Sequence, residues 1–126
     1  MSYAAKTLLA FGIYLLGLGS GLVFVPNLML GIFRISSTSE VWIRVVGMLL
    51  LILASYDILA ARAEFRPFFV WSVPLRLSVM AFFLAYVLLG FAPPILLLFA
   101  IIDVAFATWT WTALRGEDSK RLERTA

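Results

Sequence analysis

Four apolar runs, each long enough to cross a bilayer, occupy most of this chain of 126 residues. A hydrocarbon core of ~30 Å needs about 20 helical residues. The runs are Ala4–Val25, Val41–Ala61, Pro67–Phe91 and Pro94–Leu114. Hydrophobic residues make up 63% and charged residues 13% of the chain, against usual values of ~45–50% and ~25%. A soluble domain this small has too much surface to hide such an apolar share. A soluble enzyme, a disordered tail and a nucleic-acid module are thereby excluded. The net charge of +3 resides at the ends of the apolar runs, where lipid head groups account for it.

The chain has no Cys and no His, which removes disulfides, thiol redox chemistry, imidazole-based zinc or iron sites and His-ligated haem. No metal and no cofactor is expected.

The spans carry helix punctuation. Pro26-Asn27 stops the first run, and Ser37-x-x-Glu40 before Val41 has the spacing of a capping box. Pro67 and Pro94 fall where a first helical position belongs, since a missing N–H costs nothing there. The second and third spans are joined by only Arg62 to Arg66, the third and fourth by Gly90 to Pro93. Links that short predict antiparallel neighbours. The fold class is therefore an all-α integral membrane protein. Its four-transmembrane-helix antiparallel bundle covers residues 1–115, and a polar tail covers residues 116–126. That tail reads as a frayed, solvated helix end. The first run reads as a retained span rather than a signal peptide, because no small-residue cleavage site follows it.

Counting Lys and Arg orients the bundle. One side holds Lys6, Arg62, Arg66, Arg115, Lys120, Arg121 and Arg124; the other holds only Arg34 and Arg44. Both termini are expected in the cytoplasm. The longest connection begins Leu28-Met29-Leu30-Gly31-Ile32-Phe33-Arg34-Ile35, which fits a short helix lying in the outer interface or a loop packed over the bundle mouth.

Because lipid does not force apolar helices together, small residues must admit close contact. The first span offers Gly17-x-x-x-Gly21 with Ala10 and Tyr14 on its face, and the second offers Gly47, Leu50, Ala54, Asp57 and Ala61. The fourth offers Asp103, Ala107 and Thr110. Gly17 and Gly21 serve internal packing or, alternatively, a homo-oligomer.

Ionisable residues inside spans cost at least ~2.5–3.5 kcal/mol at a helix centre, so they face the interior and seek partners. At a rise of ~1.5 Å per residue, Arg76 and Asp103 both lie roughly 15–18 Å from the inner ends of their spans, and Asp57 about 8 Å above Arg62. One carboxylate can pair with Arg76 in a buried salt bridge. The other is left over, a candidate proton acceptor or polar anchor for a ligand. Pro74 removes the N–H that would bond the Val70 carbonyl and predicts a kink beside the charge. Ser72 and Ser78 flank the site, and Tyr14, Tyr56, Tyr86, Phe82 and Phe83 can line a flat apolar pocket.

With these features assembled, the chain resembles the DoxX-like group of small bacterial four-helix membrane proteins. The residues that carry the likeness are the Gly-rich first span closing on Pro26, Trp42-x-Arg44-x-x-Gly47, Ala60-Ala61-Arg62 and Ser72-Val73-x-x-Arg76. The resemblance implies a place in a bacterial inner membrane and a role as accessory membrane subunit of an oxidoreductase. A more distant architectural likeness is to sterol-isomerase and sigma-2-receptor bundles, whose acidic residues point into a lipophile cavity.

The reading that combines these features is a bundle in the lipid bilayer without catalytic residues. It binds a lipophilic small molecule or a membrane protein partner at Arg76, Asp103 and Asp57. Pro74, Ser72, Tyr56, Tyr14 and Thr110 support the site, and nucleic acid is not a partner. A structural Arg–Asp clasp, a small proton-coupled transporter or channel, and a membrane isomerase using the paired carboxylates are the alternatives.

Overall fold

The computed structural model describes residues 1–125 and is all-helical among them. Its elements are α1 (Tyr3–Phe24), α2 (Pro26–Ile32), α3 (Trp42–Arg62), α4 (Arg66–Leu88) and α5 (Leu96–Thr125). Helices α1, α3, α4 and α5 are each long and apolar enough to cross a membrane. Large apolar side chains such as Trp42, Leu53, Leu75, Phe82 and Leu88 are exposed on their outward faces. A soluble monomer does not carry an apolar surface so extensive.

Local chemistry sets most boundaries. The Ser2 hydroxyl accepts from the Ala5 N–H at 3.1 Å and opens α1. Pro26 ends α1 and starts α2, where its missing N–H and fixed φ suit a first turn. Three helices close in the same way. The N–H groups of Ile35, Phe65 and Phe91 reach back five residues to Leu30, Ala60 and Tyr86. Arg34 (φ 57), Glu64 (φ 53) and Gly90 (φ 80) take the left-handed position just before them. This is the Schellman closure, and only Gly90 adopts it without side-chain cost.

Several expected boundaries shift. The Ser37–Glu40 capping box is not formed: α3 starts after Val41 with no side-chain cap. Thr38 Oγ1 instead accepts from the Glu40 N–H at 3.1 Å. Helix α5 begins at Leu96 rather than Pro94, because its first turn closes through tighter bonds from Leu96 to Pro93 and Leu97 to Pro94. Residues 116–125 continue α5 without a break; Ala126 lies outside the described residues.

The bundle is ordered α3, α1, α5, α4. Helix α1 packs chiefly on α3, then on α5, and α5 packs on α4. The seam between α1 and α3 is made of small residues seven apart. Ala5, Gly12 and Gly19 face Ala61, Ala54 and Gly47 in antiparallel order, with Gly19 packed directly on Gly47 and Gly12 on Ala54. Gly21 packs on Met29 of α2 instead, and Gly17 borders open space. Only the first two spans therefore gain intimate contact from glycine. Helices α3 and α4 correct the expectation from their short link: they have little contact along their length. The link makes them sequence neighbours, but no seam of small residues draws them together.

Polar bonds fasten the end that carries the N-terminus. Thr7 Oγ1 donates to the Ala4 carbonyl at 2.7 Å and lies 2.8 Å from Thr110 Oγ1, so Thr110 is the donor between α1 and α5. Arg66 pairs with Glu117 at 2.8 Å and also with Asp118, while Glu117 accepts from the Ala4 N–H at 2.9 Å. Glu64 accepts from both the N–H and the hydroxyl of Ser2. Those two bonds hold its carboxyl below the ordinary value of 4.5. A depressed value stabilises the fold above pH 4.5 and the gain is lost as pH falls through the lower folded value. Glu64→Gln is therefore expected to lower the unfolding midpoint at pH 7. Its deficit against the parent protein should vanish in strong acid, read by thermal unfolding across pH.

Candidate functional site

Arg76 and Ser72 stand one turn apart on α4, and the serine holds the guanidinium on two sides. Arg76 Nε donates to the Ser72 carbonyl at 3.4 Å and Nη2 to Ser72 Oγ at 3.2 Å. The Ser72 hydroxyl spends its own proton on the Phe69 carbonyl at 2.8 Å, which leaves its oxygen free to accept. Across the bundle, the Phe11 ring lies 4.8 Å from Arg76 Cζ, a cation–π contact. Phe11 is itself fixed against Tyr14 and Phe106. Arg76 is only 8% exposed, and its Nη1 has no hydrogen-bond partner. An unpaired buried donor on a charged group is costly.

The expected Arg76–carboxylate salt bridge is not formed. Among the described residues, ion pairs involve Met1, Glu64, Arg66, Glu117 and Asp118. Buried Asp57 and half-buried Asp103 stand in the same cavity wall as Arg76, beyond ion-pairing distance. For Asp57 the reason is the α3–α4 separation, since α3 leans on α1 and away from the helix that carries Arg76. The ion pairs that do join two long helices are those of Arg66 on α4 with Glu117 and Asp118 on α5. Arg44 bonds the Val23 carbonyl at the far end of α1.

The cavity measures about 720 Å³, inside the ~300–1,000 Å³ range of ligand pockets. Its walls come from Phe11 and Leu15 of α1, from α3 and α4, and from Asp103 of α5. Tyr56, Phe82, Phe83 and Tyr86 all line it. Its mouth is the α3–α4 flank, where Leu53, Tyr56, Leu75 and Phe82 are exposed. A smaller cavity of about 210 Å³ lies under α2 and takes in Tyr14, Met29 and Phe99. Leu15, Leu50, Phe83 and Asp103 border both.

The residues singled out in the sequence thus divide into groups. Arg76, Asp57, Asp103, Ser72 and Tyr56 meet at the large cavity. Tyr14 faces the small one and stacks on Phe106 at 5.8 Å between centroids. Thr110 serves the α1–α5 contact through Thr7, and Pro74 lies inside α4 between Ser72 and Arg76 without lining the cavity. Gly47 belongs to the α1–α3 seam, Gly21 to the α1–α2 contact, and Gly17 to neither.

Phe11, Phe68 and Trp71 are site residues that sequence reasoning missed. The signal for Phe11 was available: it sits beside Gly12, and the seven-residue spacing of Ala5, Gly12 and Gly19 places it on the flank facing α5. Among the described residues no group of three or more His, Cys, Asp or Glu converges to hold a metal. No protein-family model, curated protein or solved structure matches the chain.

Proposed function

We propose that this chain is a multi-pass membrane protein that binds a lipophilic small molecule in the cavity between α3 and α4. The observation that carries the reading is a cavity of about 720 Å³ lined chiefly by aromatic and aliphatic side chains, with buried Arg76 among its lining residues. The aromatic walls match an apolar body, and the few polar residues among them suit the orientation of a ligand. Asp57 and Asp103 supply the remaining polar groups of the wall. The exposed apolar flank at the mouth fits a ligand that arrives through the hydrocarbon phase.

The cellular setting follows from charge. The Lys and Arg excess at the end carrying Lys6, Arg62 and Arg66 supports cytoplasmic termini, and the DoxX-like resemblance supports a bacterial inner membrane. In that setting α2 lies in the outer interface. The DoxX-like resemblance supports the same architecture and adds an accessory-subunit role, in which the bundle holds a lipophile for a partner enzyme.

Native mass spectrometry of the protein extracted in its own lipids tests the binding. The expected result is a reproducible adduct of lipophile size on the parent protein and none on Arg76→Leu of matched helicity. An empty parent protein, or an adduct that Arg76→Leu retains, overturns the reading.

A further inference from the structure

We infer that a cleft at the end carrying the N-terminus, between the starts of α1 and α4 and the last turns of α5, docks the head group of an anionic phospholipid. The inference rests on the membrane reading and is independent of any ligand in the large cavity.

The cleft measures about 490 Å³. Ser2, Glu64, Arg66 and Phe69 line one side, and Glu117, Lys120, Arg121 and Arg124 of α5 line the other. Positions 117, 120, 121 and 124 recur at three- and four-residue spacing, so they share one helix face. Two turns earlier the same face holds Thr110, Ala113 and Leu114, all buried in the bundle. Glu117 is level with the start of α1, where it accepts from the Ala4 N–H. Past that level the packing face of α5 continues as a basic strip, and Lys120, Arg121 and Arg124 are exposed.

The acids of the cleft are already matched from within the chain. Glu117 pairs with Arg66. Glu64 accepts twice from Ser2 and stands 3.9 Å from the terminal amino group. Lys120, Arg121 and Arg124 enter no ion pair among the described residues. Three cations within ~6 Å of helix rise therefore face the cleft without a counter-charge. A phosphate oxyanion is the complement of such a group.

The level of the cleft selects the source of that phosphate. Tyr3, Trp71, Trp109 and Trp111 are exposed at this end, and these residue types gather at membrane interfaces. Lys120 follows Leu114, the last residue of the apolar run, by six residues, or ~9 Å of rise. The polar layer of a leaflet is ~5–8 Å deep. Helical side chains lean toward the N-terminus of their helix, so the three cations reach back from the end of α5 into that layer. With cytoplasmic termini, this is the leaflet whose anionic lipids attract basic segments.

Delipidated protein in detergent, offered phosphatidylglycerol and phosphatidylcholine of identical acyl chains, tests the site by native mass spectrometry. The parent protein is expected to hold phosphatidylglycerol about tenfold or more tighter, since each cation near an anionic head group adds a factor of about five. Combining Lys120→Gln, Arg121→Gln and Arg124→Gln should make the two lipids equal. Lys6→Gln with Arg62→Gln removes two cations of the same end outside the cleft and should keep the preference. Excess inorganic phosphate should not displace the lipid. Equal retention of the two lipids by the parent protein overturns the site. So does a preference that Lys6→Gln with Arg62→Gln removes as fully as the cleft substitutions, which would assign it to overall charge. Displacement by inorganic phosphate overturns the lipid as occupant. Retention of neither lipid overturns the site and the membrane reading with it.

Discussion

Gly19→Leu is expected to separate α1 from α3 and to abolish the folded bundle, whereas Gly17→Leu, two residues away, leaves it intact. A Cβ on Gly19 would lie 2.9 Å from the Gly47 carbonyl oxygen and 3.1 Å from Leu50 Cβ. The first atom is backbone, so no rotamer change relieves the clash and the helices must move apart. Even Gly19→Ala is expected to cost about 1–3 kcal/mol, the usual range for overpacking. Leucine brings three further carbons into the same seam. Gly47 is the reciprocal position, its Cβ falling 2.9 Å from the Gly19 carbonyl oxygen. Gly21→Ala should be milder, because the neighbour it meets is the flexible end of Met29. Unfolding by SDS in mixed micelles ranks the set. If Gly17→Leu proves as damaging as Gly19→Leu, the close contact lies on the Gly17 face, and association between copies of the chain takes its place.

Removing the Arg66 side chain is expected to produce the second largest loss. Arg66→Ala deletes the pairs to Glu117 and Asp118 together with a bond to the Leu114 carbonyl. It also leaves Glu117 bound only to the Ala4 N–H. Isolated exposed pairs contribute ~0.2–1 kcal/mol. This one is half-buried and networked, and charged hydrogen bonds reach ~1.5–3 kcal/mol. A loss of about 2 kcal/mol is expected. Hydrogen exchange supplies the diagnostic readout: amides after Gly116 should exchange faster in Arg66→Ala while those of α1 and α3 keep their protection. Glu117→Gln should lie between parent and Arg66→Ala, since its amide oxygen still accepts from Ala4. Uniform loss of protection along the chain would place Arg66 in the global fold rather than in a local fastening of α5.

Periodicity and composition were enough to reveal the four spans, because apolar runs of this length have few other ways to fold. Pro26 marked the end of the first helix and Pro67 the start of another for the same local reason, a fixed φ and a missing N–H; that Pro26 also opens α2 was not read from the sequence. Glu117 and Asp118, by contrast, looked like members of a solvated tail. Nothing local distinguishes them from Glu123, and their role depends on Arg66 arriving from another helix.

The sequence by itself determined that Arg76, Asp57 and Asp103 lie well inside long apolar helices, since position along a helix follows from a fixed rise per residue. It also determined that their cost had to be met somewhere in the interior. Only the tertiary structure decided how. The packing of Gly12 and Gly19 on Ala54 and Gly47 draws α3 onto α1 and away from α4. That shift leaves Asp57 out of reach of Arg76 and opens the space between them. Loop length fixes which helices follow one another, but steric fit at the closest contacts fixes which ones touch, and that fit is a property of two surfaces at once.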